Sequence, residues 1–440
     1  MRPTLFLSAL LAALTPVAAT AQTPAAPPPA PSAPAAQPSP ALRQRAAELI
    51  AFLNGAGNYD AVFDASFRAQ IPRERFDAIG AQLRAQFGAA VAVERIAASG
   101  PHDGEVKIAY ERGLVTVRLV VAPAAPNLVT GLLLTGSEAR GDSAARIEAD
   151  FRALPGRAGY GIYALGDNAP RAVAQLNGKV AAPLGSAFKL WVLAEAARAV
   201  NAGERRWSDV VSLGDRSLPS GVMQAWPARA PVTLHTLATL MISISDNTAT
   251  DALLTALGRD RVDAMVRTIG VAAPDATLPV LTTIEAFRLK VPANAPLIAN
   301  WRAMTPAQRR AVLRDHAAQL AASPVTAALF ANGPRAQEIE WFASPRDMAA
   351  TLDWLRRTGG AEAQAVLAVN PGTGIGDRFA YVGFKGGSEP GVITLNYLVR
   401  RTDGRWFAVT GNWHRPDADV EATTFVALMG RALALVPGLN

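Results

Sequence analysis

Five strand-like segments bracket a long helix-patterned stretch, and this order constrains the fold more than any other feature. Strands are expected at Gly159–Leu165 and near Arg171–Gln175. They return at Phe379–Lys385, which has period-2 character, and at Val392–Arg400 and Trp406–Asn412. Helical spacing dominates from Ser186 to about Arg357, a short helix precedes the first strand, and a final helix covers about Val420–Leu435. Two strands, many helices, three strands and a closing helix suggest a mixed sheet flanked by a terminal helix pair, with a helical lobe inserted. The unit is expected to span residues 143–440 and to be α+β.

The preceding residues divide into three. Residues 1–21 read as a signal peptide: Met1-Arg2, an apolar run from about Leu5 to Ala19, and Ala19-Thr20-Ala21 as cleavage site. The run is short for a membrane span, and no later segment reads as one. The mature protein is therefore expected to be exported, periplasmic or secreted. Residues 22–40 are nearly all Ala, Pro, Ser and Gln and read as an extended linker. Residues 41–137 form a small α+β domain. Its first half has helical spacing (Leu49, Ile50, Phe52, Leu53; Phe76, Ile79, Leu83, Phe87), and its second half alternates around Val106, Ile108, Tyr110, Val115, Val117 and Leu119. His102 and Asp103 sit beside Gly104 and read as turn residues.

Composition removes several chemistries. The chain has no cysteine, so it holds no disulfide, thiolate nucleophile or cysteine metal site. Its four histidines are far apart and none lies in an H-E-x-x-H pattern, so neither metal nor cofactor is expected. The net charge of +7 is scattered, without a basic block interleaved with aromatics, and reads as a solvated surface rather than a nucleic-acid site. Of 43 basic residues only Lys107, Lys179, Lys189, Lys290 and Lys385 are lysine. Arginine keeps its proton in proteins, whereas a buried lysine amine can act as a base.

Two of those lysines fall in motifs. Ser186-Ala187-Phe188-Lys189 follows Pro183-Leu184-Gly185 and precedes an apolar periodic run, a helix start. Residues three apart share a helix face, which sets Lys189 beside Ser186. A serine hydroxyl needs a proton acceptor to become a nucleophile, and Lys189 can serve if burial and Lys385 depress its pKa. Ser245-Asp246-Asn247 lies in a polar turn between two apolar helices. Ser245 can pass a proton to a leaving nitrogen, Asn247 can bond a substrate amide, and Asp246 caps the next helix or holds the loop. Phe384-Lys385-Gly386-Gly387-Ser388 is expected to end a strand, its glycines letting substrate approach the backbone and Lys385 anchoring an anionic group. Taken singly, each string also has a structural reading: chance, a helix cap, a charged turn.

In this order, with these elements, the three motifs resemble S-x-x-K, S-D-N and K-T-G of the class A β-lactamases and penicillin-recognising serine enzymes. The resemblance covers about Ser143–Asn440 and includes Gly185–Leu190, Ser245–Ala249 with Leu253-Leu254, and Ser344–Ala349. It implies a β-lactamase/transpeptidase-like fold, a mixed αβ sandwich plus helical lobe. It also implies an acyl-enzyme on Ser186 and a second oxyanion donor in the Ser388 backbone N–H. A small domain ahead of the hydrolase and the Phe188-Lys189 pair are similar to an esterase-like member from clavulanic-acid gene clusters.

Three departures stand out. Gly386 replaces the usual Thr or Ser, leaving Ser388 to supply a hydroxyl. The Ser245–Lys385 interval is longer than the family's, so the Ω-loop region is rebuilt. No glutamate there lies in an E-x-x-x-N pattern; Glu285, Glu338 and Glu340 are candidates to activate a deacylating water, Glu285 the best placed in sequence. Trp226, in Ser220–Trp226, is a candidate cleft wall or a packing residue. The expected substrate is a small β-lactam, an ester or a cell-wall peptide. The expected activity is β-lactam hydrolysis, with esterase or D,D-peptidase activity or non-turnover binding of penicillin or cell-wall fragments as alternatives.

Overall fold

The computed structural model describes residues 37–217, 220–331, 333–372 and 378–439. The expected signal peptide and most of the expected linker lie outside them. Helix α1 (Pro40–Leu53) begins inside the stretch read as linker, because Pro40 suits a first helical position and the Ser39 side chain accepts the Leu42 N–H. α1 and α2 (Arg73–Phe87) cover one face of an antiparallel meander, β1 (Ala90–Gly100), β2 (Asp103–Tyr110), β3 (Gly113–Val121) and β4 (Val129–Ala139). Leu49, Phe52, Phe63, Phe87, Ile108 and Leu119 form a core of their own there. His102 lies in the β1–β2 turn, and Asp103 opens β2 and pairs with Arg118 at 2.6 Å.

Next come α3 (Ala144–Ala153), β5 (Arg157–Leu165), β6 (Arg171–Leu176) and the two-residue β7 (Ala182–Pro183). The helical lobe holds α4 (Lys189–Asn201), α5 (Leu234–Ser243), α6 (Asn247–Leu257), α7 (Arg259–Ile269) and α8 (Thr283–Leu289). It closes with β8 (Phe342–Ala343), which pairs with β7, and with α9 (Pro345–Thr358) and α10 (Gly360–Ala368). β9 (Tyr381–Glu389), β10 (Val392–Arg400) and β11 (Trp406–His414) complete the sheet, and α11 (Ala422–Leu435) closes the chain.

The fold is the expected α+β, β-lactamase/transpeptidase-like one, with the small α+β unit in front. The sheet order is β9-β10-β11-β5-β6 and every pairing is antiparallel, where a mixed sheet was expected. The two strand sets are a meander and a hairpin, whose short turns join antiparallel neighbours. The lobe is the connection from one sheet edge, β6, to the other, β9. Both faces are covered. Phe151, Tyr160, Phe425 and Leu428 pack on one; Trp191, Leu193, Leu352 and Leu355 belong to the core on the other. β10 is therefore buried up to Arg400. α4 is buried on nearly all sides, which carries its first residue, Lys189, fully inside.

Buried Arg431 on α11 ties this layer to the start of the unit, pairing with Asp142 at 2.7 Å and Asp150 at 2.6 Å. The Asp142 side chain is only 2% exposed. Arg431→Ala leaves that carboxylate buried without its partner, and urea unfolding should show a loss of about 3–5 kcal/mol. Adding Asp142→Asn should restore part of it.

Candidate active site

The chain enters the site from β7, where the Leu184 N–H donates to the Trp341 carbonyl at 2.9 Å. It turns at Gly185, whose φ is +50° and whose missing side chain would stand 3.0 Å from the Ser388 nitrogen. Ser186 lies in the single 3₁₀ turn Gly185–Phe188 rather than in the α-helix proper, and Lys189 is the first residue of α4. Phe188 stacks on Trp341 with centroids 3.8 Å apart, holding this turn against the lobe.

The Lys189 amine has three acceptors: the Ser245 carbonyl at 2.7 Å, Ser245 Oγ at 3.1 Å and Asn247 Oδ1 at 2.7 Å. The Lys385 amine donates to the same Ser245 Oγ at 2.9 Å and to the Gly386 carbonyl at 2.9 Å. One hydroxyl oxygen therefore lies between two buried amines. Burial, and after it the charge of Lys385, holds Lys189 well below its ordinary pKa. Burial alone brings Lys385 down to about 7. Asp251 and Asp246 act more weakly and in the opposite sense on Lys189. Asp251, itself pushed up to about 6 by burial, accepts N–H bonds from Thr283 and Ile284.

Ser245 reaches this position with φ +59°, in a conformation that non-glycine residues seldom adopt. Asp246 holds it there, accepting the Ala249 N–H at the α6 N-terminus (2.8 Å) and the N–H groups of Val222 and Met223 (2.7 and 2.8 Å). It caps the helix and fixes the loop at once, the two roles between which the sequence left a choice.

Lys385 sits in the middle of β9, not at its end as expected; the strand runs on through Gly386-Gly387-Ser388 to Glu389. A side chain at 387 would stand 2.1 Å from the Leu184 oxygen and 2.6 Å from the Ser186 nitrogen, so only glycine lets β9 lie against the nucleophile turn. Thr394 on β10 adds a 3.0 Å bond to the Leu184 carbonyl. A side chain at 386 would stand 3.1 Å from the Phe384 ring and 3.2 Å from the Thr394 carbonyl, so a hydroxyl residue there needs its neighbours to give by a few tenths of an ångström. Ser388 is exposed on the cleft rim.

Ser186, Ser245, Asn247, Lys385, Gly387 and Ser388 all line one cleft of about 660 Å³. Lys189 is fully buried and reaches the site through Ser245 and Asn247 without lining the cleft itself. Two other expected members do not belong to it. Glu285 is the third residue of α8 and forms a capping box with Thr282, while Arg259 binds both its oxygens at 2.6 and 2.7 Å. Both demands turn it away from the cleft. Trp226 packs, half-buried, against the lobe core; Trp341 forms the wall instead, its indole N–H bonded to the Leu281 carbonyl. Of the candidate glutamates only Glu340 lines the cleft. Lys290 and Glu389, which the motifs do not mark, are buried beside it. The scarcity of lysine was the one available signal for Lys290.

A model of the Beta-lactamase enzyme family matches residues 142–365. The chain belongs to that family. Solved structures similar to it include a β-lactamase from Sphaerobacter thermophilus, 22% identical over 66% of this chain and 95% of that one, with TM-score 0.47. A β-lactamase from Xanthomonas campestris pv. campestris is 19% identical over 66% and 95%, with TM-score 0.45. PBP-A is 15% identical over 67% and 94%, with TM-score 0.45. No curated protein matches the sequence. Among the described residues no helix is long and apolar enough to cross a membrane, and no group of His, Cys, Asp and Glu could hold a metal ion.

The lysine environment has a pH signature. With its folded pKa near 7 and its unfolded value near 10.5, the unfolded chain binds more protons at Lys385 between those limits. The cost of burying this charge is therefore full and constant below about pH 7 and is relieved as the pH rises from about 7 to about 10.5. Denaturation across that range should show stability rising with pH in the wild type and rising less in Lys385→Met.

Proposed function

We propose that the protein is an exported serine hydrolase that forms an acyl-enzyme on Ser186, with β-lactam amides as its substrates. The observation that carries the reading is the Ser245 oxygen held between the amines of Lys189 and Lys385, beside the serine turn. A lysine freed of its proton by burial can take the Ser186 proton as the hydroxyl attacks the carbonyl carbon. The Ser186 and Ser388 backbone N–H groups, brought together by Gly387, receive the developing oxyanion. The proton then passes from Lys189 through Ser245 Oγ to the leaving nitrogen, the C–N bond breaks, and the acyl group stays on Ser186. Asn247 orients the substrate amide, and the positive charge of Lys385 falls on the leaving side. No cofactor enters this scheme.

The second reading is an esterase or D,D-peptidase with weak β-lactam turnover, in keeping with the esterase-like resemblance, or a receptor acylated without turnover. It is favoured by the glutamates: Glu285 is turned away, and Glu340 already accepts the Gly185 N–H and the Lys290 ammonium. Neither is free to activate a deacylating water.

Intact-mass spectrometry over time with penicillin G and with a p-nitrophenyl ester separates the readings. An adduct that clears within seconds of exhausting the lactam supports β-lactamase turnover; a lasting adduct, or turnover of the ester alone, moves the assignment to the second reading. Ser186→Ala should take no adduct, and labelling that persists would sink the nucleophile assignment. Lys189→Arg keeps the charge but not the removable proton, and acylation should slow by about 10²–10⁴-fold.

A further inference from the structure

Beside the nucleophile turn lies a buried set of charges that this scheme does not use. The Lys290 ammonium, at the end of α8, contacts Glu340 at 3.0 Å and Glu389 at 2.5 Å, with side-chain exposures of 2%, 1% and 9%. Glu340 also accepts the Gly185 N–H at 3.0 Å. Its neighbour Trp341 takes the Leu184 N–H. Glu389 is the last residue of β9, next to Ser388. Both carboxylates meet on the one Lys290 ammonium, and Glu389 is held well above the ordinary carboxylate range, by burial first and Glu340 second.

Stability does not account for such a set. Burying a lysine and two glutamates costs several kcal/mol per ion before pairing, and apolar residues of similar size often serve as well. What charged pairs and hydrogen bonds supply, and apolar packing does not, is direction. The set joins three places distant in sequence: the turn at Gly185, the end of β9 and the rebuilt lobe segment at Lys290. The first two carry the two N–H groups aimed at the oxyanion.

We infer that Lys290, Glu340 and Glu389 are positioning residues that lock the Gly185–Ser186 turn against the Ser388 end of β9 and so fix the separation of the two oxyanion donors. The inference rests on the acyl-enzyme reading. Misplacing one oxyanion donor slows the chemistry without weakening ground-state binding.

The test is pre-steady-state acylation of the full mature protein by a chromogenic lactam or ester, whichever the wild type accepts. Glu340→Ala removes the Gly185 acceptor, and its acylation rate constant should fall by about 30–100-fold with the substrate dissociation constant changed less than about 3-fold. Glu340→Gln keeps an oxygen for Gly185 and should remain within about 5-fold of wild type. If Glu340→Ala does not fold, the neutral pair Lys290→Met with Glu389→Gln removes the clamp from its other side and should slow acylation by about 10-fold. A folded Glu340→Ala or double variant that acylates at the wild-type rate overturns the inference. So does equal loss in Glu340→Ala and Glu340→Gln, or a loss confined to substrate binding. A wild type that takes no adduct from any probe, with a correct melting transition, overturns the acyl-enzyme reading itself and is told apart by that.

Discussion

Two lysine amines buried against one serine hydroxyl set the terms for everything around them. An ammonium taken out of water must be fully hydrogen-bonded or give up its proton. Lys189 enters the interior because it is the first residue of a helix buried on nearly all sides. Its acceptors come from a loop between two other helices, which must bend back at Ser245 into a left-handed conformation to present both a carbonyl and a hydroxyl. That bend costs on the order of 1–3 kcal/mol, and Asp246 offsets it by holding three N–H groups from two segments. The strain, the cap and the depressed lysine pKa values are thus parts of one arrangement.

The sheet makes that arrangement possible. Its two edges are joined by the helical lobe, so the lobe's first turn and the returning edge strand must meet at one place. They meet backbone to backbone, with Gly387 admitting the Leu184 oxygen and the Ser186 nitrogen to distances that any side chain would prevent. The cleft is the space left above that contact, and the Lys290–Glu340–Glu389 set lies beside it.

Much of this was legible in the chain. The S-x-x-K, S-D-N and K-x-G strings named the residues that converge, because each motif combines a chemical group with the local element that aims it. The strand and helix pattern gave the layers. The errors came where a residue's role depends on distant partners. Glu285 was the best placed of the candidate glutamates in sequence, yet Thr282-Thr283-Ile284-Glu285 is itself a capping-box pattern, and Arg259 completes its engagement. Trp226 lies in the right loop but packs under it, while Trp341, without a motif, reaches the cleft by stacking on Phe188. Lys385 was expected to end a strand; β9 instead runs on through Gly386 and Gly387, and the nucleophile turn occupies the space a side chain at 387 would fill.

By itself, then, the sequence determined the chemical groups available and the local elements that carry them: one serine before a helix, two lysines in place of arginine, a polar turn, a glycine-rich strand. Those properties follow from hydrogen-bonding capacity and backbone preference over a few residues. Only the tertiary structure decided the protonation tendency of the lysines, the engagement of Glu285, and the union of Lys290, Glu340 and Glu389. Each of these depends on burial and on contacts between residues about 25 to 150 positions apart. Desolvation and ion pairing act through space and fall off within a few ångströms, and a linear pattern carries no record of which distant groups close that distance.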